Sequence, residues 1–73
     1  MKTMTFYSYL MKLSADEDED IRDLAYELEL DRNFPRGSTN HLTIRAYVQR
    51  KHGNEKAATF EKVWRRYTKA TTR

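Results

Sequence analysis

Phe60, Val63, Trp64 and Tyr67 fall at i, i+3, i+4 and i+7. That spacing gathers four apolar side chains on one face of an α-helix and scatters them on a strand. Such a stripe can serve as a platform on which nucleic-acid bases stack. It can also be core. A 73-residue chain with six leucines has little other apolar surface to hide, so it needs its aromatics inside. The expectation is core, with Trp64 as the central plug.

The rest of the chain reads the same way. Two glycines and one proline leave few places to turn, which favours helices joined by short loops. Phe6, Leu10 and Leu13 recur at helical spacing, and Thr5 can cap a first helix over 5–13. A second helix starts in the run Asp16-Glu17-Asp18-Glu19-Asp20, where the positive dipole end and unpaired N–H groups offset carboxylate repulsion. Ile21, Leu24, Ala25 and Leu28 form its apolar stripe. Pro35 disfavours helical geometry at Phe34, so the helix is expected to end near Arg32. Ser38 or Thr39 offers a cap for a third helix with Leu42, Ile44, Tyr47 and Val48 on its apolar side, stopped by His52-Gly53. The fourth helix starts near Asn54 or Thr59 and runs toward Ala70, followed by a frayed tail. No segment alternates like a strand. One all-α domain of four helices is expected over residues 1–73, its core within about 5–70. The predicted core is Phe6, Leu10, Ile21, Leu24, Leu28, Phe34, Ile44, Tyr47, Phe60, Trp64 and Tyr67.

Charge divides the chain. Residues 1–31 carry three basic and nine acidic groups, a balance of −6. Residues 32–73 carry eleven basic and two acidic groups, a balance of +9. On the fourth helix Lys62, Arg66, Lys69 and Arg73 recur at i, i+4, i+7 and i+11, opposite the apolar stripe, with Arg65 beside them. Arg45, Arg50 and Lys51 add charge from the third helix. A cluster of Arg45, Arg50, Lys51, Lys62, Arg65, Arg66 and Lys69 can hold phosphates, with arginine forks making paired contacts. The same cluster can face an acidic protein surface, such as the Asp16–Asp20 run and Asp23 of another copy, in a head-to-tail contact. It can also be a solvated helix face.

Three motifs in order resemble a known family. They are Phe6-Tyr7-x-Tyr9-Leu10, then Phe34-Pro35-Arg36-x-Ser38 with Ile44-x-x-Tyr47, then Phe60-Glu61-x-Val63-Trp64-x-x-Tyr67. The order and spacing are similar to the YozE-like family of small bacterial proteins, mostly from Firmicutes, and the likeness spans about Phe6 to Tyr67. The resemblance implies a four-helix fold like that of sterile-alpha-motif (SAM) domains. It implies a fold rather than an activity, since SAM-like folds elsewhere bind proteins, self-associate or bind nucleic acid. The family usually has an aromatic where His41 stands, and its typical members are acidic. The +9 half is therefore a feature of this chain.

Other chemistries find no footing. Without cysteine there is no disulfide, thiolate zinc site or thiol nucleophile. Asp16, Asp18, Asp20 and Glu27 match four positions of a calcium loop, but Ile21 stands where that loop needs glycine. His41 and His52 lack the company of a zinc site: His41 reads as a partly buried helix residue and His52 as a dipole partner in a last turn. No phosphate-binding glycine loop or nucleophile–base pair is visible. The expectation is a non-enzymatic binding module with no cofactor, no metal and no small-molecule substrate. It binds nucleic acid, DNA first, through the basic face of helices 3 and 4, or else a protein partner or itself. No stretch is long and apolar enough to span a membrane. Ser8 and Lys12 break up the apolar opening from Met1 to Leu13, which does not read as a signal peptide, so the expected location is cytoplasmic.

Overall fold

A computed structural model describes residues 4–71. Residues 1–3 of the opening segment, and Thr72 and Arg73 of the expected frayed tail and basic row, lie outside the described residues. Four helices follow one another: α1 (Phe6–Met11), α2 (Glu19–Leu30), α3 (His41–His52) and α4 (Asn54–Thr71).

Local chemistry sets the helix starts. Thr5 caps α1, its hydroxyl oxygen accepting from the Ser8 N–H at 3.1 Å. Asp18 caps α2 by accepting from the Asp20 N–H at 2.9 Å, and Glu19 and Asp20 occupy the first turn at the positive dipole end. The cap of α3 is Asn40, not the expected Ser38 or Thr39. Its Oδ1 accepts from the Thr43 N–H at 3.0 Å, while Ser38 accepts from the Asn40 N–H at 3.1 Å in a turn just before it.

The helix ends also have identifiable causes. α1 stops at Met11 rather than Leu13, and turn hydrogen bonds continue from Leu13 N–H to the Leu10 carbonyl and from Asp16 N–H to the Leu13 carbonyl. α2 stops at Leu30, short of Arg32, because Asp31 is extended (ψ 103°) and its carboxylate accepts from the Asn33 N–H. α3 ends at Gly53, whose φ of 96° favours glycine and whose N–H donates to the Gln49 carbonyl. α4 begins at the next residue and turns back along α3. Gln49 meets Asn54, Arg45 meets Glu61, and His41 meets Glu61 and Trp64.

One core joins all four helices. Phe6, Leu10, Ile21, Leu24, Leu28, Phe34, Ile44, Phe60 and Tyr67 of the expected set are buried, with Ala25, Val48, Ala57 and Val63. Phe6 stands at its centre, 5.0 Å from Phe60 edge-on and 5.6 Å from Tyr67. Three expectations need correcting. Trp64 is half-buried rather than the central plug: Phe6 of α1 fills that place, and the indole lies across it at 5.5 Å, with Tyr67 and His41 each 5.0 Å away. Tyr47 is half-buried at the rim, its ring edge-on to Phe34 at 5.7 Å and its hydroxyl free to reach a polar partner. Leu42, placed on the apolar side of α3, is 73% exposed.

Candidate polyanion-binding surface

The seven basic candidates divide into two groups. Packing of α2 on α4 brings the acidic start of α2 against the basic row of α4. Lys62 Nζ lies 2.7 Å from Asp18 Oδ2. The Arg66 fork meets both oxygens of Asp16, Nη2 to Oδ1 at 3.2 Å and Nη1 to Oδ2 at 3.4 Å. Arg45 Nε pairs with Glu61 Oε2 at 2.8 Å. The hydrogen bond from Arg66 holds the Asp16 carboxyl below its ordinary value, and that from Lys62 does the same for Asp18. Reciprocally, Asp18 raises Lys62 and Asp16 raises Arg66.

Arg50, Lys51, Arg65 and Lys69 form the second group. They are exposed and have no acidic partner among the described residues. Arg50 and Lys51 stand in the last turn of α3, where positive charge suits the dipole. Arg65 and Lys69 are one turn apart in the second half of α4. The structure therefore splits the expected cluster. Three members are spent on internal pairs and four remain available, two near each end of the α3–α4 pair.

A second polar cluster escaped the sequence reading. His52 sits in the last turn of α3 as expected, but its ring reaches α2. Nδ1 lies 3.1 Å from Glu27 Oε1 and Nε2 2.9 Å from Asp31 Oδ2. The ring can donate to both carboxylates only when both nitrogens carry a proton. Tyr47 donates its hydroxyl to Asp31 at 2.7 Å, and Lys56 of α4 pairs with Glu27 at 3.1 Å. The carboxyl of Asp31 is held down chiefly by the Tyr47 hydrogen bond; burial opposes this, and His52 adds to it. Burial pushes Glu27 up, but Lys56 and His52 outweigh it and leave the group lowered. Each partner lies 16 or more residues away, beyond any helical register.

His41 is half-buried, as its line with Ile44 and Val48 suggests. Its ring stacks on Phe60 at 5.4 Å and its Nε2 lies 3.0 Å from each Glu61 oxygen. The carboxylates of the calcium-loop spacing do not converge. Asp16 and Asp18 face α4 cations, and Glu27 faces His52 and Lys56. Among the described residues no three His, Asp or Glu side chains gather as a metal site. An open groove lined by Asp20, Glu55, Lys56, Ala58, Thr59 and Lys62 runs between α2 and α4, and both its lysines are already paired. No helix among the described residues is long and apolar enough to cross a membrane.

A family model described as YozE SAM-like fold matches residues 5–69, most of the chain. Comparison with curated proteins and with solved structures gives no match.

Proposed function

The chain belongs to the YozE SAM-like fold family, and from that premise we propose a non-enzymatic binding module that holds nucleic acid, DNA first, by its phosphate backbone. The observation carrying this reading is the set Arg50, Lys51, Arg65 and Lys69, exposed and without an acidic partner among the described residues. A cation without a partner meets a phosphate at no cost in broken pairs. Arg45, Lys62 and Arg66 would each first have to release a carboxylate. With no side chain singled out for reading base edges, binding follows the backbone rather than the sequence. The cytoplasm is the compartment this reading expects.

A fluorescence titration of short duplex DNA and single-stranded RNA at two salt concentrations tests it. Four phosphate contacts predict an affinity loss of about 150-fold between about 50 and 200 mM salt, whereas seven predict several thousandfold. Arg65→Glu with Lys69→Glu should remove most of the binding. Asp16→Asn with Asp18→Asn, which frees Arg66 and Lys62, should steepen the salt slope. Undetectable binding at low salt, or binding indifferent to reversal of all four cations, ends the proposal.

The self-association form of the alternative has less support. Of the groups it would join between copies, Asp16 and Asp18 already meet Arg66 and Lys62 within one chain, which leaves Glu17, Glu19, Asp20 and Asp23 to face Arg65 and Lys69. Interaction with a different protein rests on another surface, the outer face of α2, where Tyr26 and Leu30 are each 64% exposed.

A further inference from the structure

Glu19, Asp23, Tyr26 and Leu30 fall at i, i+4, i+7 and i+11 along α2, and all four are exposed. The opposite face, Ile21, Leu24, Ala25 and Leu28, is the part of α2 in the core. The outer stripe is not an ordinary solvated face, because its second half carries two large apolar side chains one turn apart, each 64% exposed. Its acids are also free. Glu19, Asp20, Asp23 and Glu29 have no cation partner among the described residues, in contrast to Asp16, Asp18, Glu27 and Asp31. One margin is occupied: Arg36 donates to the Glu29 carbonyl at 3.0 Å while its guanidinium lies over the Tyr7 ring.

We propose that this face of α2 docks a basic amphipathic helix belonging to another protein. The inference rests on the protein-interaction reading and gives it a surface and a partner chemistry. An apolar pair one turn apart is matched by apolar side chains at i and i+3 or i+4 of a helix lying alongside. The flanking carboxylates are matched by Lys or Arg on either side of that apolar line, which also disfavours acidic partners.

A second copy of this chain does not fit. The described residues expose three large apolar side chains, Tyr26, Leu30 and Leu42, and the first two belong to the acidic face itself. Leu42, in the first turn of α3, is the one large exposed apolar side chain among the described residues outside that face, and alone it offers no second apolar group one turn away. The described residues thus present no basic surface bearing an apolar pair.

The test uses the full chain and three probes: a short designed helix with a leucine stripe flanked by lysines, the same helix with glutamates for lysines, and the chain itself in sedimentation. The basic helix should bind and the acidic one should not. Tyr26→Ser and Leu30→Ser should each weaken binding roughly tenfold or more, as expected for losing a buried apolar anchor. Both residues are exposed, so the helical circular dichroism and melting temperature should not move, and DNA binding should be unaffected. Asp23→Lys should weaken it by a factor that shrinks as salt rises. Basic-helix binding that ignores Tyr26→Ser and Leu30→Ser overturns the docking face as mere charge attraction. Binding of the acidic helix, or a dimer abolished by those two substitutions, overturns the basic occupant but keeps α2 as an interaction surface. Silence from all three probes overturns both.

Discussion

Tyr47 turns an apolar position into a polar anchor. Its ring packs on Phe34, and its hydroxyl spans from α3 to the end of α2, where it donates a hydrogen bond to Asp31 at 2.7 Å. Burial, and then the hydrogen bond to that carboxylate, push the phenol up to about 12. Tyr47→Phe keeps the ring and removes the bond. It should cost about 1.5 kcal/mol, as for a hydrogen bond to a charged group, and lower the melting temperature by roughly 6–12 °C in a domain this size. The Asp31 carboxyl should move back up toward its ordinary value, which carboxyl NMR titration would read. In the sequence Tyr47 shows only its helical register with Ile44, so the ring was legible and the hydroxyl was not. Trp64 shows the same limit. Its register placed it on the core side of α4, but only the arrival of Phe6 from 58 positions away decides which ring is central.

At the scale of elements, α4 and the buried stripe of α2 were legible because their apolar spacing is unbroken; the start of α2 also carries a clear signal, whereas α4 begins at Asn54, the earlier of its two possible starts. α3 was less so. Three successive residues, Ser38, Thr39 and Asn40, can all cap, and the chain uses the last. Leu42 looks like core by type and faces water by position. Phe60, fully buried on α4 against Phe6 of α1 and His41 of α3, should cost about 3–5 kcal/mol on change to Ala, enough to abolish cooperative urea unfolding in a small domain. Trp64→Ala, at the rim, should cost distinctly less. The glycines should also separate. At Gly53 a Cβ would meet nothing within 4 Å, so its φ of 96° alone makes Gly53→Ala costly, by about 1–3 kcal/mol. Gly37 has open space and no positive φ, so Gly37→Ala should be neutral or stabilising by up to about 1 kcal/mol in thermal melts.

For the whole molecule, the two charge blocks were visible in the sequence, but their mutual contact was not. Asp18 and Lys62 are 44 positions apart and Asp16 and Arg66 are 50, so only packing could reveal that they meet. That contact makes the fold sensitive to acid. Asp16, Asp18, Glu27 and Asp31 all have lowered carboxyls, each through a group on α3 or α4. A carboxyl lowered in the folded state stabilises the fold above its ordinary value, 3.8 for Asp and 4.5 for Glu, and that contribution fades as pH falls through the folded value. The urea midpoint should therefore drop progressively below about pH 4.5. A midpoint unchanged down to about pH 3 would mean that these pairs add nothing to stability. At higher salt the drop should shrink, since Lys62–Asp18 and Arg66–Asp16 are partly exposed.

Phe6 packs on Phe60 and Tyr67, and the Tyr67 hydroxyl donates to the Met4 carbonyl across 63 positions. A ribosome makes α1 about 50 residues before the turns of α4 that cover it. At roughly 5–20 residues per second, Phe6 and Leu10 wait several seconds for their partners. Through that interval α1, only six residues long, is too short to hold a helix unaided. The α3–α4 pair needs only a one-residue connection and can assemble before α1 docks on it. During synthesis the nascent chain therefore exposes the apolar groups of its first segment until the last turns of α4 emerge. This is the stage at which a chaperone would find it.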